Sequence, residues 1–494
     1  MVRRFTLLTS NPLQSIRKMD VFTTPSYFKQ RLDTKRFFLA KLLGVEEAKI
    51  FIAETDSSIA FQALLTSLQE EGLVAMYGGA KAFEDYPPLC IIGLFYYLDK
   101  TIRKDFAMRS WGFTYPFEKK DKVFAKCLGE TLERHAFYFL QGSTVHEYPH
   151  FKERDVSSMF PLCATLGTVL QAVKTSDDLK QIRCMRVRSL TGGPMRYLPY
   201  TCLYWCPLLE GEKVLREPNT NGGGGGMTQD DALLSGLYEF IERDHFLLYW
   251  LAGKQPRIIA HEDMEGDFGD YLKKVTQNYL LEVYFLDVSY DTHTQAVVAI
   301  VIDPVLNMIS MGSKASSTAE NSMQGALLEA LAVLSFVRER ETSFSEEKLS
   351  FYLDRKRNLK IYQSERMGMY CSKKGIEIVR KHFLLGETIS LSLMKEKDRV
   401  FATKKEELLF LQQEFERLVK EKGDGYHVYY QSAKTKWTKK EGYHVVKTYI
   451  PSFLCFYLDE KMRPVFSERL EMFKKEKGVV SRKGQPEAPP HFLG

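Results

Sequence analysis

A nine-residue pattern occurs twice in this chain. The first copy, Cys127 to His135, carries Glu130, Glu133 and Arg134. The second, Gly236 to Asp244, carries Glu239, Glu242 and Arg243. Each gives Glu-x-x-Glu-Arg among apolar residues: Leu128, Leu132 and Phe137 in one, Leu237, Ile241 and Phe246 in the other. Glutamates three apart share one helix face, roughly one turn from each other. A single copy would read as surface decoration with Glu–Arg ion pairs. Two copies in apolar surroundings ask for more. Four carboxylates brought together repel unless cations sit between them, and burying them uncompensated is costly. Hard carboxylate oxygens suit a divalent ion such as magnesium, together with the phosphates it carries. Glu329, in Ala326-Leu-Leu-Glu329-Ala330, is a third acid in an apolar helix.

Asn219-Thr-Asn221 and then five glycines, Gly222 to Gly226, lead into the second glutamate helix. Backbone N–H groups of a glycine-rich loop at a helix start can cradle an anion. The run has no Walker-type lysine, so metal would have to meet the phosphate charge. Thr228 is placed to cap the helix, with Asp230 and Asp231 in its first turn. The histidines show neither His-x-x-x-His nor His-Glu-x-x-His spacing, and His135 and His245 read as structural. No Gly-x-Ser-x-Gly elbow supports a serine hydrolase.

The chain has 494 residues, 44% hydrophobic and 27% charged, with a net charge of +6. That is the composition of a folded protein. No apolar run is long enough to span a bilayer, and the N-terminus lacks a full signal peptide. The eight cysteines form no Cys-x-x-Cys pair; they read as reduced thiols in a cytoplasmic protein, without a zinc site. The basic runs read as solvated faces, and no aromatic-interleaved stripe suggests nucleic acid. A weakly basic surface suits an acidic peptide or a nucleotide.

Residues 1–88 form a small module of unassigned role, with helical periodicity in Ser26–Leu43 and Ser57–Leu73 and no chemistry of its own, so packing or oligomerisation is its default reading; a homodimer is a candidate state of the chain. Beyond it, Leu89–Asp99 is a helix or strand and Ser110–Tyr115 a glycine-containing loop. Asp121–Gln141 and Thr228–Leu251 are the glutamate helices, and Thr318–Arg340 and Lys404–Lys422 are further helices. Ile182–Arg188, Leu198–Trp205, Glu282–Asp287, Gln295–Asp303, Tyr426–Ser432 and His444–Ile450 alternate as strands. The proline-rich end, Arg482–Gly494, is irregular. This succession predicts an α/β or α+β fold, mixed sheets with packed helices, with residues 89–494 as one domain.

The two glutamate motifs, the Asn221-Gly222 run with Asp231, Val283–Ser289, the Glu329 helix, His444–Pro451 and the Pro489-Pro490-His491-Phe492 tail together resemble the YcaO family, from about Asp85 to Gly494. The resemblance implies a YcaO-type fold and an ATP- and Mg2+-dependent enzyme that activates a backbone amide of a ribosomally made peptide. In azoline-forming members a Cys, Ser or Thr side chain attacks the preceding carbonyl, and the oxygen is phosphorylated and leaves. Carried over, Glu130, Glu133, Glu239 and Glu242 would hold metal and phosphate. Asn221, Asp231 and Glu329 would line the nucleotide. Arg243, or Arg134, would balance phosphate charge, and the C-terminal Gly494 would lie by the active site. Implied partners are a precursor peptide, a leader-peptide-binding protein and a flavin-dependent azoline dehydrogenase. Thioamide formation and a non-catalytic scaffold role are the alternatives. The chain departs from the family where Glu329 lacks the usual following Gln and Arg, where Lys447 replaces an Arg, in the Phe113–Lys120 loop and in the tail, so rewired nucleotide contacts are expected.

Overall fold

A computed structural model describes residues 5–8, 74–81, 86–97, 107–118, 120–138, 184–193, 196–204, 219–339, 345–354, 360–435, 438–439, 442–460, 463–464, 467–479 and 488–492. The expected helices at 26–43 and 57–73 lie outside these residues, as does Gly494. The chain divides into two compact units, Met1–Phe139 and Leu140–Gly494.

In the first unit, β1 (Phe5–Leu8), β2 (Val74–Lys81), β3 (Cys90–Tyr97) and β4 (Ala107–Thr114) form an antiparallel sheet in that order. The stretch expected as a loop at Ser110–Tyr115 is therefore strand. Its glycine is needed for packing: a Cβ on Gly112 would lie 2.0 Å from Val123 O. Trp111 in turn covers Gly93, its cross-strand neighbour. Helix α1 (Lys120–Tyr138) lies on β3 and β4 through Val123, Cys127, Leu128, Leu132 and Phe137, all buried. Because α1 belongs with this sheet, the compact division falls later in the chain than residue 88.

The second unit holds β5 (Cys184–Ser189), β6 (Arg196–Pro199) and α2 (Tyr200–Leu203). Pro199 has no N–H for the ladder, and the strand expected over Leu198–Trp205 turns there into a short helix. Next come β7 (Gly223–Gly226), α3 (Gln229–Ala252), β8 (Arg257–Ile259), α4 (Gly266–Gln277), β9 (Glu282–Asp287), β10 (Gln295–Asp303) and β11 (Met308–Ser316). They are followed by α5 (Ala319–Glu339), α6 (Glu346–Leu353), α7 (Gln363–Arg366), α8 (Lys373–Phe383), β12 (Thr388–Ile389), α9 (Leu391–Lys395) and α10 (Lys404–Lys422). After a 3-10 turn at Asp424–Tyr426 come β13 (Tyr429–Ala433), β14 (His444–Tyr449) and α11 (Glu468–Glu476).

Among the described residues two five-stranded sheets result, ordered β11-β10-β9-β8-β12 and β6-β5-β13-β14-β7. Helix α3 packs on β7 and β14 of one and on β10 and β11 of the other. It is accordingly apolar nearly all round, with Phe240, Ile241, Phe246, Leu247, Leu248 and Trp250 buried. Thr228 and Asp231 close a capping box at its start, and Gly253, at φ 63°, ends it in a left-handed cap.

The five-glycine run is not a loop. Gly223 to Gly226 pair with Lys447 to His444 as an antiparallel edge strand. A Cβ on Gly224 would stand 2.1 Å from Ala232 O and 2.5 Å from Gly236 N. Glycine thus serves the close approach of strand to helix, one of its recognised uses in strands.

The tail residues Ala488 to Phe492 are buried and irregular. Trp250 Nε1 donates to Pro489 O at 2.7 Å, Tyr370 Oη to Pro490 O at 2.7 Å and Arg366 to His491 O at 2.9 Å. Cys90, Cys127, Cys202, Cys371 and Cys455 carry no disulfide. Among the described residues no helix is long and apolar enough to cross a membrane.

Gly224→Ala should lower stability by about 1–3 kcal/mol, since the obstructing atoms are backbone and cannot rotate away. The urea midpoint measures it. A midpoint equal to that of the wild type would show that strand and helix can move apart freely.

Candidate functional site

Among the described residues β11 is the outer strand of its sheet, so alternate N–H groups point away from β10 with no ladder partner there. Two acids take them. Ser313 N donates to Glu329 Oε2 at 2.8 Å, and Ala315 N donates to Glu242 Oε2 at 3.3 Å. Ser313 Oγ adds a 2.6 Å hydrogen bond to Glu242 Oε1. The carboxylates arrive from opposite faces. Ser313 turns toward α3, whereas Gly312 and Lys314 lie against α5, as strand alternation requires.

Glu242 is buried at 8% exposure. Desolvation raises the pKa of its carboxyl, opposed by the charge of Lys314, the Ser313 hydroxyl and Arg243. Desolvation, and then the adjacent charge of Glu242, raise Glu329 to about 8. The hydrogen bonds therefore hold the acids in place without relieving their mutual repulsion.

Glu239, one turn before Glu242, pairs with Arg243 at 2.7 Å. Arg243 also donates to Asn221 Oδ1 and stacks 4.8 Å over the Phe456 ring. Its Nε is buried with no hydrogen-bond partner among the described residues. Asn221 is held by its N–H to Asn219 Oδ1 at 3.0 Å, and the side-chain amides of Asn219 and Asn221 both donate to Phe456 O. Lys447 Nζ donates to Asn219 O at 2.8 Å, a buried role for the residue expected to stand in for an Arg.

Below this group, Asp244 fixes the rotation of α3. It accepts from Leu454 N at 2.7 Å and from two nitrogens of Arg469, which is itself buried 4.0 Å over Phe453. Asp291 also faces Arg469, whose charge helps hold the Asp291 carboxyl well below the usual range against desolvation.

Asn221, Glu239, Glu242, Arg243 and Glu329 thus come together in one unit. Asp231 belongs to the capping box, where its carboxylate accepts from Thr228 N at 3.2 Å and Thr228 Oγ1 at 2.7 Å. The first glutamate helix repeats the same devices inside its own unit. Glu130 pairs with Arg134 at 2.6 Å and accepts from Trp111 N, on outer strand β4, at 2.7 Å. Glu133 follows on the same helix, partly exposed. Ser313, Ala315, Asn219 and Phe456 were not anticipated. Gly312-Ser313-Lys314-Ala315-Ser316, just ahead of an acidic helix, was the available signal for two of them. Phe456 had none.

Among the described residues no group of three His, Cys, Asp or Glu side chains is arranged to hold a metal ion. Two neighbouring carboxylates with raised pKa values, beside an arginine nitrogen lacking an acceptor, nevertheless fit magnesium carrying a phosphate. That ion is commonly held by one or two carboxylates plus substrate phosphates.

The raised Glu329 has a consequence for stability. The folded chain keeps its proton up to about 8, while the unfolded chain releases it near 4.5. The folded state binds more protons across this window, so this group's contribution to stability falls as pH rises through it. Glu329→Gln should remove that part of the slope in magnesium-free buffer. Urea midpoints of the two proteins running parallel across the window would refute the assignment.

A family model described as YcaO cyclodehydratase, ATP- and Mg2+-binding, matches residues 124–454. That span takes in the two Glu-x-x-Glu-Arg motifs, the glycine strand, β11 and Glu329. A heterocyclase in complex with substrate and cofactor is similar in structure, with a TM-score of 0.61 at 15% identity over 88% of this chain and 57% of that one. The chain therefore spans little more than half of that relative. YcaO from Methanopyrus kandleri bound with AMPPCP and Mg2+ gives a TM-score of 0.54 at 14% identity, over 86% of this chain and 94% of that one. The E. coli microcin synthetase McbBCD complex with pro-MccB17 bound gives 0.52 at 15% identity, over 76% and 88%. At such identities the likeness is one of fold. No curated protein matches the chain. With the matched segment covering most of the chain and both acidic motifs inside it, the chain belongs to the YcaO cyclodehydratase family.

Proposed function

We propose that this chain is an ATP- and Mg2+-dependent cyclodehydratase subunit that converts Cys, Ser or Thr of a ribosomally made precursor peptide to azolines. The observation that carries the reading is the Glu242–Glu329 pair held on β11, two adjacent carboxylates whose charge calls for a cation. Membership of an ATP- and Mg2+-binding family supports it.

Glu242 and Glu329 would hold magnesium on this unit, with Glu239, now paired with Arg243, turning to the ion or its phosphates when they bind; the family resemblance gives Glu130 and Glu133 the same metal and phosphate role. When bound, the ion would supply positive charge to the phosphates of ATP. Asn221 would line the nucleotide, and the open Nε of Arg243 is an available donor to a phosphate oxygen. Asp231 would act through its cap, setting the first turn of α3 beside the glycine strand.

The peptide chemistry balances without a redox step. The side-chain thiol or hydroxyl adds to the preceding carbonyl and gives up its proton. The resulting oxyanion takes the γ-phosphoryl group as ADP leaves. Loss of the amide proton and of phosphate then closes the C=N bond. The peptide loses one water, and ATP becomes ADP and phosphate. The protein's part is positioning and charge stabilisation, as in other phosphoryl transfers.

Precursor peptide and leader-binding protein are the proposed partners, with a flavin-dependent dehydrogenase acting on the product, and the family resemblance would give Gly494 a catalytic role. Cytoplasmic location accords with the absence, among the described residues, of a membrane-crossing helix.

Incubation of the chain with ATP, magnesium, a precursor peptide and its leader-binding protein should lower the peptide mass by one water per ring. Glu242→Gln should slow this by about 100-fold, the upper end of what losing even a supporting residue around a metal costs. Exchange of oxygen for sulfur in the presence of a sulfur donor would indicate a thioamide product. Absence of magnesium-dependent ATP binding would leave a scaffold role.

A further inference from the structure

Lys314 stands between Ser313 and Ala315, the two residues whose N–H groups hold Glu329 and Glu242. Its stem lies along α5 at Gly325. A Cβ built on Gly325 would sit 2.5 Å from Lys314 Cγ and 2.9 Å from both its Cβ and its Cδ. Gly325 has no positive φ, so the backbone does not require glycine there. Glycine inside a helix costs about 1 kcal/mol against alanine. What it provides at this position is room for the lysine stem.

The lysine itself is exposed. Its charge acts on both Glu242 and Glu329. Yet among the described residues it makes neither an ion pair nor a hydrogen bond, although two carboxylates lie close by. The neighbouring cations are already engaged: Arg243 holds Glu239 and Asn221, and Lys447 holds Asn219. A lysine whose only task was to neutralise the acids would close onto one of them. This one is kept along the helix with its ammonium group open beside the pair.

We propose that Lys314 is a phosphate-binding side chain of the acid site, receiving the polyphosphate of a nucleoside triphosphate, and that Gly325 exists to let its stem lie against α5. The assignment rests on the ATP reading above. It supplies the lysine that the glycine run lacks, from a different strand. As a compact point charge on a flexible stem, lysine suits a phosphate whose oxygens shift during transfer.

Calorimetry of the full chain with Mg2+-ATP, and with Mg2+ alone, tests it. Lys314→Met keeps the stem and removes the charge. It should weaken Mg2+-ATP binding about tenfold while Mg2+ alone binds as well or better. Lys314→Arg should recover most of the affinity. Gly325→Ala should weaken Mg2+-ATP binding when Lys314 is present and have no added effect in a Lys314→Ala background, the non-additivity of residues acting as a unit. Wild-type affinity for Mg2+-ATP in Lys314→Met would overturn the role of Lys314 alone. Equal loss of Mg2+ and Mg2+-ATP binding would reduce it to a structural part. No Mg2+-ATP binding by the wild type would overturn the ATP reading, and this assignment with it.

Discussion

The acidic chemistry of this protein hangs on the outward N–H groups of two outer strands. A sheet edge leaves every second N–H without a ladder partner, and an open edge invites pairing with another chain. Here carboxylates occupy the positions. Trp111 N on β4 takes Glu130, and Ser313 N and Ala315 N on β11 take Glu329 and Glu242. Hydrogen bonds to a charged acceptor are stronger than neutral ones. They are also directional, so the strand fixes where each carboxylate points. The edge thereby becomes a register for acids carried on helices from either face of the sheet.

That register works only if α3 is held in rotation and height. Its two sheets bury it from both sides, and the glycine strand brings β7 into backbone contact with its first turns. Asp244, the next residue after Arg243, is gripped by buried Arg469 and by Leu454 N. A turn of the helix about its axis would break that pair inside the core, where an uncompensated charge is expensive. Glu239, Glu242 and Arg243 are thus positioned by a residue that takes no part in binding. The buried tail adds a second constraint at the other end, through Pro489 O on Trp250.

Much of this was legible in the sequence, and the failures share a cause. The helices Thr228–Leu251 and Lys404–Lys422, and the strands Glu282–Asp287 and Gln295–Asp303, follow from periodicity, because their burial is set by one or two faces that repeat. The glycine run reads as a loop because local preference says nothing of a helix lying 2–3 Å from where a Cβ would be. Ser110–Tyr115 failed in the same way at Gly112. Both are strands whose glycines answer to a partner distant in the chain. The bland reading of Glu-x-x-Glu-Arg was half right, since the first glutamate of each copy does pair with the arginine four residues on. The second glutamate of the α3 copy carries the informative contact, and its strand, β11, was not anticipated.

Charge balance ties these observations together. On the second unit Glu239, Glu242 and Glu329 face Arg243 and Lys314, so three ionised acids leave one negative charge in excess. A proton on Glu329 removes the excess, and desolvation, with the charge of Glu242 second, raises its carboxyl so that it keeps that proton toward neutral pH. A divalent ion would instead turn the balance to one positive charge, favouring a polyanion such as a nucleotide phosphate. Proton and metal ion are then alternatives for one pair of carboxylates, and occupancy by the metal must release the proton. An acid pair with a built-in vacancy for positive charge, ringed by a lysine left open and an arginine with a spare donor, is poised for a ligand that brings cation and anion together.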